Sequence, residues 1–252
     1  MVKIFKNHFR RGITTFDFER LEIETVAASM KLRLPKNLGD LIYSFRYRKS
    51  LPAEIPDNAT GNKERIILPA GRAKYRFALT KQSQIVPGHD LVATKIPDAT
   101  PQIITAYELT VEQALLARVR YNRPIDIFLG ITTRSLQNHL RTTVKSMGQI
   151  EIDEIYVGMN KTGQQFVIPV QAKGGSDKLA VIQTSLDSAY CAEKFPLLTA
   201  RAISAQFMQE NIIAILELTL EKDEVKVVEE RHYCLVPASE IKADDLRKYA
   251  TR

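Results

Sequence analysis

The chain has 252 residues, 44% of them hydrophobic and 26% charged, the balance of a globular protein long enough to bury a sizeable core. Its net charge of +7 and pI near 9.3 favour a polyanionic partner, although a basic surface with no ligand fits the same numbers. Two cysteines, Cys191 and Cys234, exclude a disulfide framework and a Cys-based zinc site, and the four histidines (His8, His89, His139, His232) lack metal-ligand spacing. No apolar run reaches membrane-spanning length and Met1–Lys6 lacks a signal-peptide core, so a cytoplasmic protein without a membrane partner is expected.

In chain order, residues 17–30 predict a helix with Phe18, Leu21, Ile23, Val26 and Met30 as its apolar stripe and Thr15 or Asp17 as its cap. A second helix is expected from about Asn37 to Tyr47, after Pro35. Arg46 and Arg48 crowd its end, as they would in a small helical DNA-contacting module or on a merely solvated basic face. A loop over 50–64 and strands near 65–68 and 74–79 complete a winged-helix-like unit. Turns at Pro87-Gly88 and Pro97–Pro101 place a boundary near 100, giving an N-terminal region of 1–100 and a second domain of 101–252. Residues 106–122 read as a helix, and 135–144, 149–157 and 165–173 as three successive strands. A helix capped by Ser176 or Asp177 then runs to Lys194. Strands near 200–207, 211–220 and 224–236 and a terminal helix over 239–249 follow. The fold class is mixed α/β. No internal repeat is apparent.

The most informative stretch is Glu151-Ile152-Asp153-Glu154-Ile155-Tyr156-Val157, followed after a hairpin by Val167-Ile168-Pro169-Val170-Gln171-Ala172-Lys173. Period-two alternation puts Glu151 and Asp153 on one face and Glu154 on the other. Pairing of the two strands brings Asp153 beside Gln171 and Lys173. An Asp on one strand with an acid or amide, any residue, then Lys on its neighbour can hold a divalent metal and a water against a phosphodiester. This arrangement resembles the PD-(D/E)xK nuclease superfamily, which includes many restriction endonucleases, with Gln171 where Glu is usual. Further blocks are similar to restriction-endonuclease-like proteins: Pro35–Asp40, Tyr43–Arg48, Glu112–Leu116, Arg120–Arg123, Leu136–Arg141 and Pro169–Gly175.

The resemblance implies a restriction-endonuclease-like core sheet flanked by helices. It also implies a Mg²⁺-dependent DNA endonuclease of Type II-like character, with Mn²⁺ as a substitute ion and double-stranded DNA as partner. Duplex cleavage with two sites points to a homodimer. A structure-specific repair or recombination nuclease and a catalytically silent DNA-binding protein are the alternatives. Asp153 and Gln171 would hold metal, and Lys173 would orient or activate the attacking water. A surface Asp and a lysine snorkelling from a strand end are the bland readings of the same residues.

Gln171 offers a carbonyl oxygen but no charge, so another acid should compensate. Glu112 is the candidate, as a second metal ligand and catalytic residue. Its helical alignment with Leu109, Leu116 and Val119 turns it to the core, where pairing with Arg120 or Arg123 is an equal alternative. Glu151 is a candidate auxiliary acid. Arg134, Gln137, Asn138, His139, Arg141 and Lys145, just before the Asp153 strand, are DNA-binding candidates, or else a polar edge strand. Gly174-Gly175 lacks the spacing of a phosphate loop, so nucleotide-driven translocation is not expected.

Overall fold

The computed structural model describes residues 1–47, 49–55, 63–107, 110–145, 147–175, 177–209, 211–221 and 224–250. Its contacts divide the chain into two compact units. One is Met1–Ile85 with Thr142–Ile150 and Ala180–Leu186; the other is Val86–Arg141 with Glu151–Leu179 and Asp187–Arg252.

The first unit holds α1 (Val2–His8), β1 (Phe16–Glu19), α2 (Arg20–Ser29), α3 (Leu38–Tyr47), β2 (Glu64–Pro69), β3 (Lys74–Thr80) and the short β4 (Gln84–Ile85). Strands β1, β3 and β2 pair in that order as an antiparallel sheet, setting Phe16 and Ile67 on either side of Phe77. Ile4, Phe5, Phe18, Ile23, Leu38, Ile42, Ile67 and Phe77 form its core. The helix expected from residue 17 starts instead at Arg20. Phe16 and Phe18 alternate with Asp17 and Glu19 and are drawn into the sheet, where Arg76 holds Asp17 at 2.5 and 3.0 Å. Glu19 then caps α2 in a box with Glu22, whose carboxylate accepts the Glu19 N–H at 2.9 Å.

The second part of the chain contributes β5 (Thr94–Pro97), α4 (Gln102–Ala106), α5 (Val111–Asn122), α6 (Pro124–Leu129), β6 (Thr132–Val144), β7 (Gly148–Met159) and β8 (Gln165–Lys173). After these come β9 (Leu179–Ala180), α7 (Val181–Lys194), β10 (Thr199–Ala200), β11 (Ala202–Gln209), β12 (Ile212–Glu221), β13 (Glu224–Val236) and α8 (Ala243–Ala250). One mixed sheet runs β5-β13-β12-β11-β8-β7-β6, with β10 beside β8. The architecture is therefore mixed α/β with helices against the sheet.

Side chains of α5 and α6 (Leu115, Leu116, Val119, Ile125, Leu129) pack on Ile168, Val170, Ala172, Ile203, Ala205 and Ile215 of one sheet face. Each such burial contributes about 1.5–3 kcal/mol before entropy is counted. Because side chains alternate, the opposite face of β8 carries Gln171 and Lys173. Pro169 stands in this central strand without breaking it. The parallel partner of β8 changes there, from β10 at Phe166 and Val167 to β11 at Val170 onward, so the missing N–H falls between two ladders.

Candidate active site

Strands β7 and β8 pair antiparallel from Met159 with Gln165 to Glu154 with Val170. Beyond that pair, Asp153 and Gln171 are the next residues on each strand. At that point Asp153 Oδ2 accepts the Ala172 N–H at 2.8 Å, a side chain serving a ladder amide. Lys173 Nζ lies 3.6 Å from the same Oδ2 and 3.9 Å from Glu112 Oε1, with its side chain only 11% exposed. The structure thus brings Asp153, Lys173 and Glu112 together.

Glu112 reaches Lys173 because α5 begins hard against the end of β8. Thr110 caps the helix through the Gln113 N–H at 3.2 Å, and Val111 sits so close to Gly174 that a Cβ there would collide with it. The expectation that Glu112 faces the core needs correction. Its side chain is 44% exposed, at the helix start rather than under it. Arg120 and Arg123 are engaged elsewhere, with Glu154 and Asp126. Leu109, part of the stripe used to orient Glu112, lies outside the described residues.

Three residues of consequence are not visible in the sequence pattern. Asp187, on α7, is 2% exposed and accepts from Gln171 Nε2 at 3.1 and 3.3 Å. The same Nε2 donates to Glu151 O at 3.0 Å. Next to Gln171 and Lys173, the parallel register of β11 aligns Ser204 and Gln206, both buried, with Gln206 Nε2 donating to Ser204 Oγ at 2.9 Å. With Asp153 on β7, a polar row therefore crosses three strands, and Asp187 meets it at Gln171. The available signals were slight: an acid at helical spacing from Thr184 and Cys191, and a Ser-x-Gln alternation in an otherwise apolar strand.

The electrostatics of the cluster are one-sided. Burial pushes the Asp153 carboxyl above its usual range, against the Lys173 ammonium and the Ala172 N–H, and Glu151 pushes it further up. Burial also raises Glu112, with Lys173 opposing and Asp153, Asp177 and Glu151 adding to the rise. Asp187 is raised well above the usual range, by burial first, eased by the Gln171 hydrogen bond and pushed again by Asp153. Three carboxyls are thus costly to ionise around one ammonium, the condition in which a cation is stabilising.

Among the described residues no three His, Cys, Asp or Glu side chains converge as a ready-made metal cage. An ion of the Mg²⁺ kind does not need one: it takes one or two carboxylates and completes its shell with water and phosphate oxygens. The donor set fits on that chemistry, with Asp153 as the central carboxylate and Glu112 and Gln171 beside it.

The strand before the site carries Arg134, Gln137, Asn138, His139 and Arg141, all exposed, at the end of the sheet order. Arg134 donates to Thr133 O at 2.8 Å. His139 has a left-handed backbone, φ 49°, which interrupts the strict alternation of this strand. His139 Nε2 lies 3.7 Å and Arg141 3.1 Å from Glu151 Oε1, so the candidate acid Glu151 has a cationic neighbour in Arg141. In the first unit, Lys145 is exposed, while Arg46 is partly buried, donates to Ile67 O at 3.1 Å and lies over the Tyr75 ring. That is the placement of an internal anchor. Arg48 and Ser176 lie outside the described residues. Among the described residues no helix is long and apolar enough to cross a membrane. Comparison of the chain with family models, curated proteins and solved structures returned no match.

Proposed function

We propose that the chain is a Mg²⁺-dependent DNA endonuclease of the PD-(D/E)xK kind, a cytoplasmic Type II-like restriction enzyme acting on double-stranded DNA as a homodimer. One observation carries the reading: Lys173 and Asp153 meet across adjacent strands at 3.6 Å, with Glu112 on the other side of the ammonium. A helix-strand-helix-helix-hairpin order with a β1-β3-β2 sheet in the first unit supports a winged-helix-like DNA-contacting module.

Asp153, Gln171 and Glu112 would hold the ion, for which Mn²⁺ can substitute. When bound, it supplies positive charge to a phosphate oxygen and acidifies a water. Lys173, its ammonium held by two carboxylates, orients that water and stabilises charge building on the phosphate. Oxygen of water bonds to phosphorus, the bond to the 3′ oxygen breaks, and the product keeps a 5′-phosphate. Exposed Arg134, Gln137, Asn138 and His139 offer phosphate and base-edge contacts from the neighbouring strand.

A second reading, a silent DNA-binding protein, is favoured by the Gln171 amide being turned to Asp187 and Glu151 O. Incubation with a mixed-sequence plasmid and Mg²⁺ separates the cases. Discrete fragments support restriction, cutting confined to branched DNA supports repair, and tight binding without cleavage leaves the silent protein.

A further inference from the structure

Gln171 is held by two acceptors. Its Nε2 donates both to Glu151 O, on the backbone of β7, and to the Asp187 carboxylate on α7, at 3.0 and 3.1 Å. Both partners lack a proton to give when Asp187 is ionised, so only an NH₂ group satisfies them; this fixes which prong of the planar amide faces α7. A Glu at 171 would aim a carboxylate at a carbonyl and a second carboxylate, three acceptors without a donor in a buried place. The amide at 171 and the acid at 187 therefore go together.

Asp187 has no basic partner within ion-pair distance among the described residues, and it is 2% exposed. A buried carboxylate so placed is a cost to folding. Its spacing from Thr184 and Cys191 would accept a neutral polar or apolar residue. Asp153 and Lys173 both act on it electrostatically, which places it in the same cluster.

We propose that Asp187 supplies the negative charge that the second half of the motif lacks, delivering it from α7 while Gln171 holds the carboxylate in place. The inference rests on the metal-site reading above. It makes Asp187 a positioning residue for the site and Gln171 its bracket: the charge comes from the helix, and the amide stands on the strand.

The test is a four-membered set in the full chain: wild type, Asp187→Asn, Gln171→Glu and the double variant Gln171→Glu/Asp187→Asn. Mg²⁺ binding is measured by isothermal titration calorimetry at pH 8, beside the thermal midpoint of the metal-free protein. Asp187→Asn should weaken Mg²⁺ binding by about tenfold or more, because a negative charge is lost from a poorly screened site. Its thermal midpoint should stay level or rise by about 2–4 °C, because a desolvated charge has gone. The double variant, with acid and amide exchanged, should recover Mg²⁺ binding to within about threefold of wild type.

An Asp187→Asn protein that binds Mg²⁺ like wild type overturns the proposal. So does a double variant no better than Asp187→Asn alone. A lower midpoint for Asp187→Asn with unchanged Mg²⁺ binding assigns Asp187 a purely structural role. Wild type that binds Mg²⁺ but leaves DNA uncut removes the nuclease reading and not this one; wild type that binds no Mg²⁺ at millimolar concentration removes both.

Discussion

Arg120 donates to Glu154 through Nε and Nη2, at 3.1 and 2.9 Å on the same Oε1, on the face of β7 opposite Asp153. Ser135 adds a third donor at 2.5 Å. Glu154 is fully buried, so its carboxyl takes its hydrogen bonds from these partners rather than from water.

Arg120→Met should therefore destabilise the protein by about 1–3 kcal/mol, a range set below that of a fully buried pair because the arginine side chain is 40% exposed and Ser135 remains. Arg120→Met with Glu154→Leu should recover part of the loss. Urea unfolding checks both; a single variant as stable as wild type would show that this pair contributes little to the fold.

Asp153→Ala and Lys173→Ala should each reduce plasmid cleavage by about 10²–10⁴-fold while leaving DNA binding within a few-fold of wild type. Single-turnover cleavage and a filter-binding titration on the same preparations give the two numbers. Near-normal cutting by either variant removes this cluster as the active site.

Gly174→Ala tests the close approach of α5 to the end of β8. The new methyl meets Val111 and must push the helix start away, carrying Glu112 off Lys173. Cleavage should fall about tenfold or more, whereas Gly174→Ala combined with Val111→Ala should restore most of it. Equal activity of the two variants would mean that the helix start does not position Glu112.

The pH dependence of metal-free stability has a definite sign. Asp153, Glu112 and Asp187 are all raised in the folded protein, so their contribution is full below the usual 3.8–4.5 and is lost as pH rises through the raised values. The lowered acids Asp17, Asp98 and Asp245 act in the opposite sense, below 3.8, and are flat above it. The thermal midpoint in EDTA should thus fall as pH rises above 4.5, with a shallower fall in Asp187→Asn. A midpoint that climbs steadily over that range contradicts the sign.

Much of the sheet is legible in the sequence because alternation and turn chemistry are local. The strands expected at 135–144, 149–157 and 165–173 appear as β6, β7 and β8 with ends moved by a few residues. The start of α2 is ambiguous in the sequence because Phe18 serves a helical stripe and a strand alternation equally well, and only pairing with β3 decides. Asp187 was hidden for a different reason. A polar residue on the buried side of a helix declares itself only when the facing strand is known, and Gln171 is 16 positions away in the chain. Glu112 was placed on the right element but too deep, since its exposure depends on where the helix begins.

The hydrogen bond from the Ala172 amide to Asp153 has a practical consequence. An ordinary sheet amide is protected by a backbone carbonyl that no mutation can remove, but this one is protected by a titratable carboxylate side chain. Its exchange rate and nitrogen chemical shift are a built-in reporter of the carboxylate next to it. A single resonance at Ala172, followed through additions of Mg²⁺ or acid, would read the state of Asp153 directly, without substrate and without turnover.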